Sequence, residues 1–177
     1  SSDWSFAGGT IVVQPFDHST ATIGDATVLV ENTGQNNYYP SWSPDGAWIL
    51  FNRSSEDAYD DASAELWVVP ADGAQAPARL DTPNVGPGRT NSWGRWAPFA
   101  QSLGQPPEPL FWLTFSSKRA FGVRLAAGRP QIWMAPFFPN RARNGQDPSA
   151  PAFRLPFQDL GGNNHIAQWT EQVIPIE

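Results

Sequence analysis

The sequence predicts an all-β protein, and three observations support that class. Residues 34–43, 88–97 and 161–170 align in one register, with Gly, Asn and Trp at the same offsets each time. Eighteen Pro and fifteen Gly divide the 177 residues into short pieces, which disfavours long helices. No window carries a sustained apolar stripe at helical spacing. A repeat of this length is typical of supersecondary units that pack face to face.

The first two strands of the unit are predicted as a hairpin. Residues 43–46 read Ser-Pro-Asp-Gly, which suits a tight turn because Pro sets φ and Gly accepts a positive φ. The turn separates two apolar segments, residues 39–43 and 48–52. The next copy has the same hairpin with an expanded turn, and its second strand is predicted over residues 110–116. Asp45 is assigned to the turn rather than to any chemistry.

The third and fourth strands of the unit are each predicted three times. The third strand covers residues 10–15, 65–70 and 131–136. It always ends with Pro, as expected where ladder pairing stops. The fourth strand covers residues 26–30, 78–80 and 152–155. We therefore predict a partial unit (1–33), two complete units (34–87 and 88–160) and a further first strand within 161–177.

Four antiparallel strands per unit, with a Trp in each first strand, is the layout of a β-propeller blade. The order Ser-Trp-Ser-Pro-Asp-Gly, Ile-Leu-Phe and Leu-Trp-Val-Val in residues 41–69 resembles blades of the TolB-like, WD-repeat-like propeller family. The second copy is similar around Trp96 and Phe115 but lacks the Asp-Gly turn. The resemblance covers roughly residues 7–170. It implies a propeller fold and, for TolB-like proteins, periplasmic protein interaction. Related blades also occur in peptidases and in an oligogalacturonide lyase, so function stays open.

The predicted ring is incomplete. Closed propellers use about 4–8 blades, whereas this chain supplies two full blades and parts of others. Its open edges need partners, either further blades of the same precursor or a second copy, and two copies would give about six blades. Trp42, Trp96 and Trp169 are expected at equivalent positions, and strand Trp residues are expected in the core.

Charge and motifs narrow the classes of function. The net charge of −6 argues against nonspecific nucleic-acid binding and against acidic membranes. No apolar run approaches the roughly 18–20 residues that span a bilayer. The chain has no Cys, which excludes disulfides and thiolate metal sites. No nucleophile elbow, His-Glu-x-x-His, phosphate loop or dinucleotide fingerprint is present.

Candidate binding residues lie just before the first strand of each unit, which in a propeller is the mouth of the central channel. One repeat position holds Asn37, Asn91 and Asn164. The next holds Tyr38, Ser92 and His165. Each Asn either caps its own turn, the favoured interpretation, or binds a ligand. The variation at the next position fits a binding face or simple solvent exposure. Trp93 and Trp4 are expected to be exposed.

Two charged groups complete the candidates. Lys118 and Arg119 lie in the most basic region and either recognise an acidic partner or balance a neighbouring acidic loop. That loop contains Glu56, Asp57, Asp60 and Asp61, whose carboxylates are candidates for Ca²⁺, although a solvated loop is favoured. His165 is expected to be a polar surface or channel residue rather than a base, and His18 to be solvated.

The sequence thus predicts a noncatalytic binding or scaffold propeller that recognises a protein or a surface glycan. Its expected location is the bacterial periplasm or cell surface, with any signal peptide already removed. No cofactor is expected beyond Ca²⁺. The alternative is an accessory propeller of a secreted peptidase or polysaccharide lyase.

Overall fold

A computed structural model describes residues 5–170 of the chain. The strands are β1 (Ile11–Val13), β2 (Phe16–Asp17), β3 (Thr22–Ile23), β4 (Thr27–Val30), β5 (Asn36–Trp42), β6 (Trp48–Ser54), β7 (Glu65–Pro70), β8 (Ala78–Arg79), β9 (Ser92–Leu103), β10 (Glu108–Ser117), β11 (Gln131–Phe137) and β12 (Phe153–Arg154). Within this range the helices are a 3-10 turn, Thr82–Asn84, and the short α1, Pro139–Arg143. The all-β prediction is confirmed.

Two four-stranded antiparallel sheets form the body of the molecule. The hydrogen-bonded strand order is β5-β6-β7-β8 in the first sheet and β9-β10-β11-β12 in the second sheet. Before them, β1 pairs with β4 to form what we call the N-terminal pair. The strands predicted up to residue 155 are found, but the fourth strands are shorter, with two residues each in β8 and β12. The hairpin of β2 and β3 was not predicted.

The turn between β5 and β6 confirms the role assigned to Asp45. Its Oδ1 accepts hydrogen bonds from the Ser43 hydroxyl at 2.6 Å and from the Ala47 N–H at 3.0 Å. The Ser43 hydroxyl oxygen in turn accepts the Trp48 N–H at 3.0 Å. Gly46 has a φ of +69°, which glycine adopts without a Cβ penalty. These bonds set the register of the hairpin.

The main core lies between the two sheets. Leu50 and Leu66 of the first sheet are buried, as are Phe115 and Phe137 of the second. Strand β9 lies close to the first sheet because residue 94 is glycine, where an added Cβ would lie 2.7 Å from Leu50 Cδ2. The absent side chain thus sets the spacing of the sheets.

The N-terminal pair packs on the opposite side of the first sheet. Ile11 and Val30 form a second buried cluster with Ile49, Phe51 and Val69. The first sheet is therefore covered on both faces, and its interior strands are apolar on both sides, as buried strands are.

The same type of backbone hydrogen bond occurs at the start of the first strand in each unit. The N–H of each repeated asparagine donates to the carbonyl just before the third strand of the preceding unit. Asn37 donates to Gly9 at 3.2 Å, Asn91 to Ala64 at 3.2 Å and Asn164 to Pro130 at 3.0 Å. The three aligned sequence segments thus occupy equivalent positions relative to the preceding unit.

A backbone kink also recurs in the three units. Tyr39, Trp93 and Ile166 have φ values of 51°, 55° and 57°, in the left-handed region that non-glycine residues seldom occupy. The register of β5 against β6 and of β9 against β10 shifts at this point, as in a β-bulge whose first residue is left-handed. The kink therefore changes the direction of β5 and of β9 within their sheets.

The first strand predicted at 166–170 is not formed, which corrects that prediction. The segment nevertheless crosses the second sheet. The Ile166 N–H donates to Ser116 Oγ at 3.2 Å, and the Trp169 indole N–H donates to Thr114 Oγ1 at 3.0 Å. A strand needs a ladder partner, and none is present for this segment within residues 5–170.

The expectation that every strand Trp is in the core is wrong for Trp42. The side chain of Trp96 is 6 % exposed, whereas that of Trp42 is 56 % exposed. Trp96 donates its indole N–H to the Ser41 carbonyl of the preceding unit's first strand at 3.0 Å. The unit before Trp42 has no first strand in the described residues, so Trp42 has no equivalent strand to pack on.

Candidate functional site

Aromatic side chains from three units meet at the end of the molecule where the first strands begin. The Tyr39 ring stacks on Trp93 with centroids 4.0 Å apart and planes inclined by 18°. Trp93 and Tyr59 each meet the His165 ring edge-on, at 6.0 Å and 6.1 Å. We call Tyr39, Trp93, His165 and Tyr59 the aromatic row. Trp93 is half-buried in it, so the expectation that Trp93 is exposed is wrong, and Trp4 lies outside the described residues.

A small cavity lies beside the row. Its volume is about 30 Å³, room for a water molecule or two. The lining residues are Tyr59, Asp60, Thr90, Ser92, Ser116, Lys118, Pro130 and His165. Lys118 forms an ion pair with Asp60 here. The cavity thus brings together three predicted binding residues, Ser92, Lys118 and His165, with one carboxylate of the acidic loop.

Three buried polar atoms of the row have no hydrogen-bond partner among residues 5–170. They are the Tyr39 hydroxyl, the Trp93 indole nitrogen and His165 Nδ1. Buried polar groups are nearly always paired, and leaving one unpaired costs about 1–3 kcal/mol. Three such atoms in one row indicate a place where water or a ligand completes the bonding.

Burial lowers the pKa of His165. Lys118 lowers it further by charge repulsion, and Asp60 opposes both effects. At neutral pH the ring is therefore neutral and presents a hydrogen-bond acceptor as well as a donor.

We expect the free energy of unfolding to fall as the pH drops below about 6.5, the ordinary histidine pKa. The unfolded chain then binds more protons than the folded chain, so stability rises with pH through the window below 6.5. The free energy of unfolding of His165→Gln, measured with urea from pH 7.5 to 5, should lose this part of its pH dependence. His18→Gln, at an exposed histidine, should keep it. If His165→Gln kept the same pH dependence, His165 would not be its cause.

The side chains of the repeated asparagines bond to the loops before them and, for Asn37 and Asn91, also to other segments. Asn37 donates to the carbonyls of Gly9 and Glu31, and its Oδ1 accepts from Arg53 Nε at 2.8 Å. Arg53 lies over the Trp67 ring at 4.2 Å. Asn37 therefore ties the loop before β5 both to Gly9 and to Arg53.

The second unit repeats this arrangement. Asn91 is fully buried, and its Oδ1 accepts from Arg119 Nη2 at 2.7 Å. Arg119 lies over the Trp133 ring at 5.0 Å, and burial together with Arg89 lowers its pKa to about 10. Arg119 thus bonds to groups inside the protein rather than being directed at an acidic partner. In the third unit, Asn164 donates to the Asp159 carbonyl at 3.0 Å.

Solvent exposure does not explain the variation at the next repeat position. Tyr38 is 2 % exposed and Ser92 is 5 % exposed. Tyr38 packs edge-on against Tyr39 at 4.8 Å and Phe6 at 6.2 Å, behind the aromatic row, and burial raises its pKa. Ser92 lines the cavity. The variable position therefore supports the row from behind in one unit and forms the cavity in the others.

The carboxylates of the acidic loop organise its backbone. Asp61 accepts N–H hydrogen bonds from Glu56 at 3.2 Å, Asp57 at 3.0 Å and Ser63 at 2.7 Å. Asp57 accepts the Tyr59 N–H at 3.1 Å. Across residues 5–170 no three acidic, His or Cys side chains are grouped as metal ligands. Ca²⁺ binding here stays a prediction.

Comparison of the chain with protein-family models, with curated proteins and with solved structures found no match. In the range 5–170 no helix is both long and apolar enough to cross a bilayer. Function is therefore inferred from the geometry of the aromatic row and its cavity.

Proposed function

We propose that the chain is a noncatalytic binding or scaffold protein built from consecutive TolB-like β-propeller blades. The two sheets are the full blades, the N-terminal pair belongs to the preceding blade, and residues 161–170 begin the next. The sequential strand order, the face-to-face packing and the recurring asparagine N–H bond support this arrangement. Further blades come from the same precursor or from another copy.

The observation that supports a binding role is that side chains from three repeat units meet in the aromatic row. Stacked and edge-on rings supply an apolar surface with polar tips, and the ion pair of Lys118 and Asp60 lies at its side. Aromatic and charged groups at one concave end are typical of recognition of a protein loop or a sugar. In a propeller this end is the mouth of the channel.

The proposed role is binding rather than catalysis. A general base needs a hydrogen-bonded nucleophile or an orienting carboxylate, and His165 Nδ1 has neither within residues 5–170. Ser116 Oγ accepts the Ile166 N–H. Export to a bacterial periplasm or cell surface belongs to the same proposal and follows from the resemblance to TolB-like blades.

The test is a screen of an immobilised glycan array and of a peptide library with the full chain. We expect a ligand whose affinity falls at least about tenfold in Tyr59→Ala and in Lys118→Ala, a loss that matches a hydrogen bond or a ring contact. Phe157→Ala, at a side chain 81 % exposed outside the cavity lining, is the matched control. Ligands that bind all three variants equally would contradict the proposed surface.

A further inference from the structure

An arginine recurs at one position of the fourth strand in both sheets. Arg79 lies opposite Trp67 in the ladder of β7 and β8, and Arg154 lies opposite Trp133 in the ladder of β11 and β12. Arg154 is buried, at 8 % exposed, whereas Arg79 is only partly buried. The two sheets therefore show how one arginine position is satisfied in two different surroundings.

In the first sheet, two carboxylates neutralise this arginine. Arg79 Nε and Nη2 donate to the two carboxylate oxygens of Glu65 at 2.9 Å and 2.8 Å. Its Nη1 donates to Asp81 Oδ1 at 2.7 Å. Hydrogen bonds between charged groups are stronger than those between neutral groups. All three guanidinium nitrogens of Arg79 thus have a carboxylate acceptor.

Neither carboxylate has a counterpart in the second sheet. Gln131 begins β11 as Glu65 begins β7, and its Oε1 accepts from Arg154 Nε at 3.0 Å and Nη2 at 2.7 Å. Pro156 follows Arg154 by two residues, as Asp81 follows the arginine of the first sheet. Within residues 5–170, Arg154 has no ion pair and its Nη1 has no hydrogen-bond acceptor. The more deeply buried arginine is therefore the one without a counter-charge.

A cavity of about 270 Å³ lies beside this arginine. We call it the arginine cavity, and its lining includes Arg154, Arg124, Asp159, Phe121, Pro156 and Leu160. Two arginines against one aspartate leave a single net positive charge on this lining. A buried charge without an opposite charge is costly, so an anion in the cavity would supply what the second sheet lacks.

We propose that the arginine cavity binds a small apolar carboxylic acid in its ionised form. The carboxylate accepts from Arg154 Nη1 and takes the part that Asp81 plays in the first sheet. A single net positive charge matches a monocarboxylate better than a phosphate dianion. The apolar lining suits a ring or a short hydrocarbon chain, and the volume equals that of about nine water molecules, enough for an acid as large as benzoate. This inference depends on the comparison of the two sheets and not on the ligand of the aromatic row.

Benzoate is the probe, added to the full chain and followed by heteronuclear NMR. We expect saturable shifts of the Arg154 and Phe121 amide signals with a Kd of about 1 mM or lower, because very small ligands gain the most affinity per atom. Benzamide has the same ring without the charge and should bind at least about tenfold more weakly, as expected for the loss of a charged hydrogen bond. Inorganic phosphate should also bind more weakly. The proposal is wrong if benzoate does not saturate these shifts, or if benzamide or phosphate binds as tightly.

Two variants at the exposed Pro156 locate the carboxylate. Pro156→Asp places the carboxylate of the first sheet beside Arg154, so benzoate affinity should fall at least about tenfold as the guanidinium gains an internal partner. Pro156→Asn has nearly the same shape without the charge and is the matched control, which should still bind benzoate. Equal affinity in the two variants would show that the acid does not bind at Arg154. Tyr59→Ala should bind benzoate normally, so this test and that of the aromatic row fail independently.

Discussion

Replacing Phe137 with Ala should lower the free energy of unfolding by about 3–5 kcal/mol, the usual cost of removing a buried Phe. Phe137 is fully buried. Its ring meets Trp48 of the first sheet at 5.2 Å and Trp96 of the second at 5.1 Å, both edge-on. The substitution leaves a cavity between the sheets, where the rigid ladders on both sides limit collapse.

Urea unfolding followed by tryptophan fluorescence measures the effect. Phe157→Ala removes the same atoms from a side chain 81 % exposed and should change stability by no more than about 0.5 kcal/mol. If both variants lost equal stability, the inter-sheet contact would not be the source of the effect. A separate early transition in Phe137→Ala would instead show that the sheets unfold independently.

Replacing Asn91 with Ala should destabilise the chain by at least about 2 kcal/mol, because several buried groups lose their partner together. The amide Nδ2 donates to the Pro83 carbonyl at 3.2 Å and to Asn84 Oδ1 at 2.8 Å. Its Oδ1 accepts from Arg119, so the substitution also leaves a partly buried cation with one acceptor fewer.

The matched control is Asn163→Ala, which alters an exposed asparagine. A double-mutant cycle with Arg119→Ala then separates the pair from its surroundings. We expect Asn91→Ala to cost clearly less in the Arg119→Ala background. Strict additivity of the two substitutions would show that the bond between Asn91 and Arg119 contributes nothing measurable.

The strands were predictable where the pattern is local. Residues 65–70 contain a short apolar run that ends with Pro, and β7 has those bounds. The hairpin of β2 and β3 was missed because its strands have two residues each, too few to show a period. The absence of a strand at 166–170 and the exposure of Trp42 depend on which strands are present next to them, and a local pattern carries no such information.

The site was predictable in part. The repeat register identified Ser92 and His165, and the basic region gave Lys118. The register also contains the position of Tyr39, since Trp93 and Ile166 share it, but the kink that makes this position special is a backbone property. Tyr59 lies in the acidic loop, where the sequence singles out only the carboxylates, and the fold brings this ring against His165. Contacts between units are set by packing, which the sequence of one unit does not encode.

The shared kink shows that the backbone shape at this position does not depend on which side chain is present. Tyr39, Trp93 and Ile166 hold nearly the same φ although their side chains differ entirely. These three positions, with Tyr59 and Lys118 beside them, are therefore suitable for a randomised library. New specificities could be selected on this end of the protein while the ladders and the inter-sheet core keep their sequence, so the chain is a starting scaffold for engineered binders.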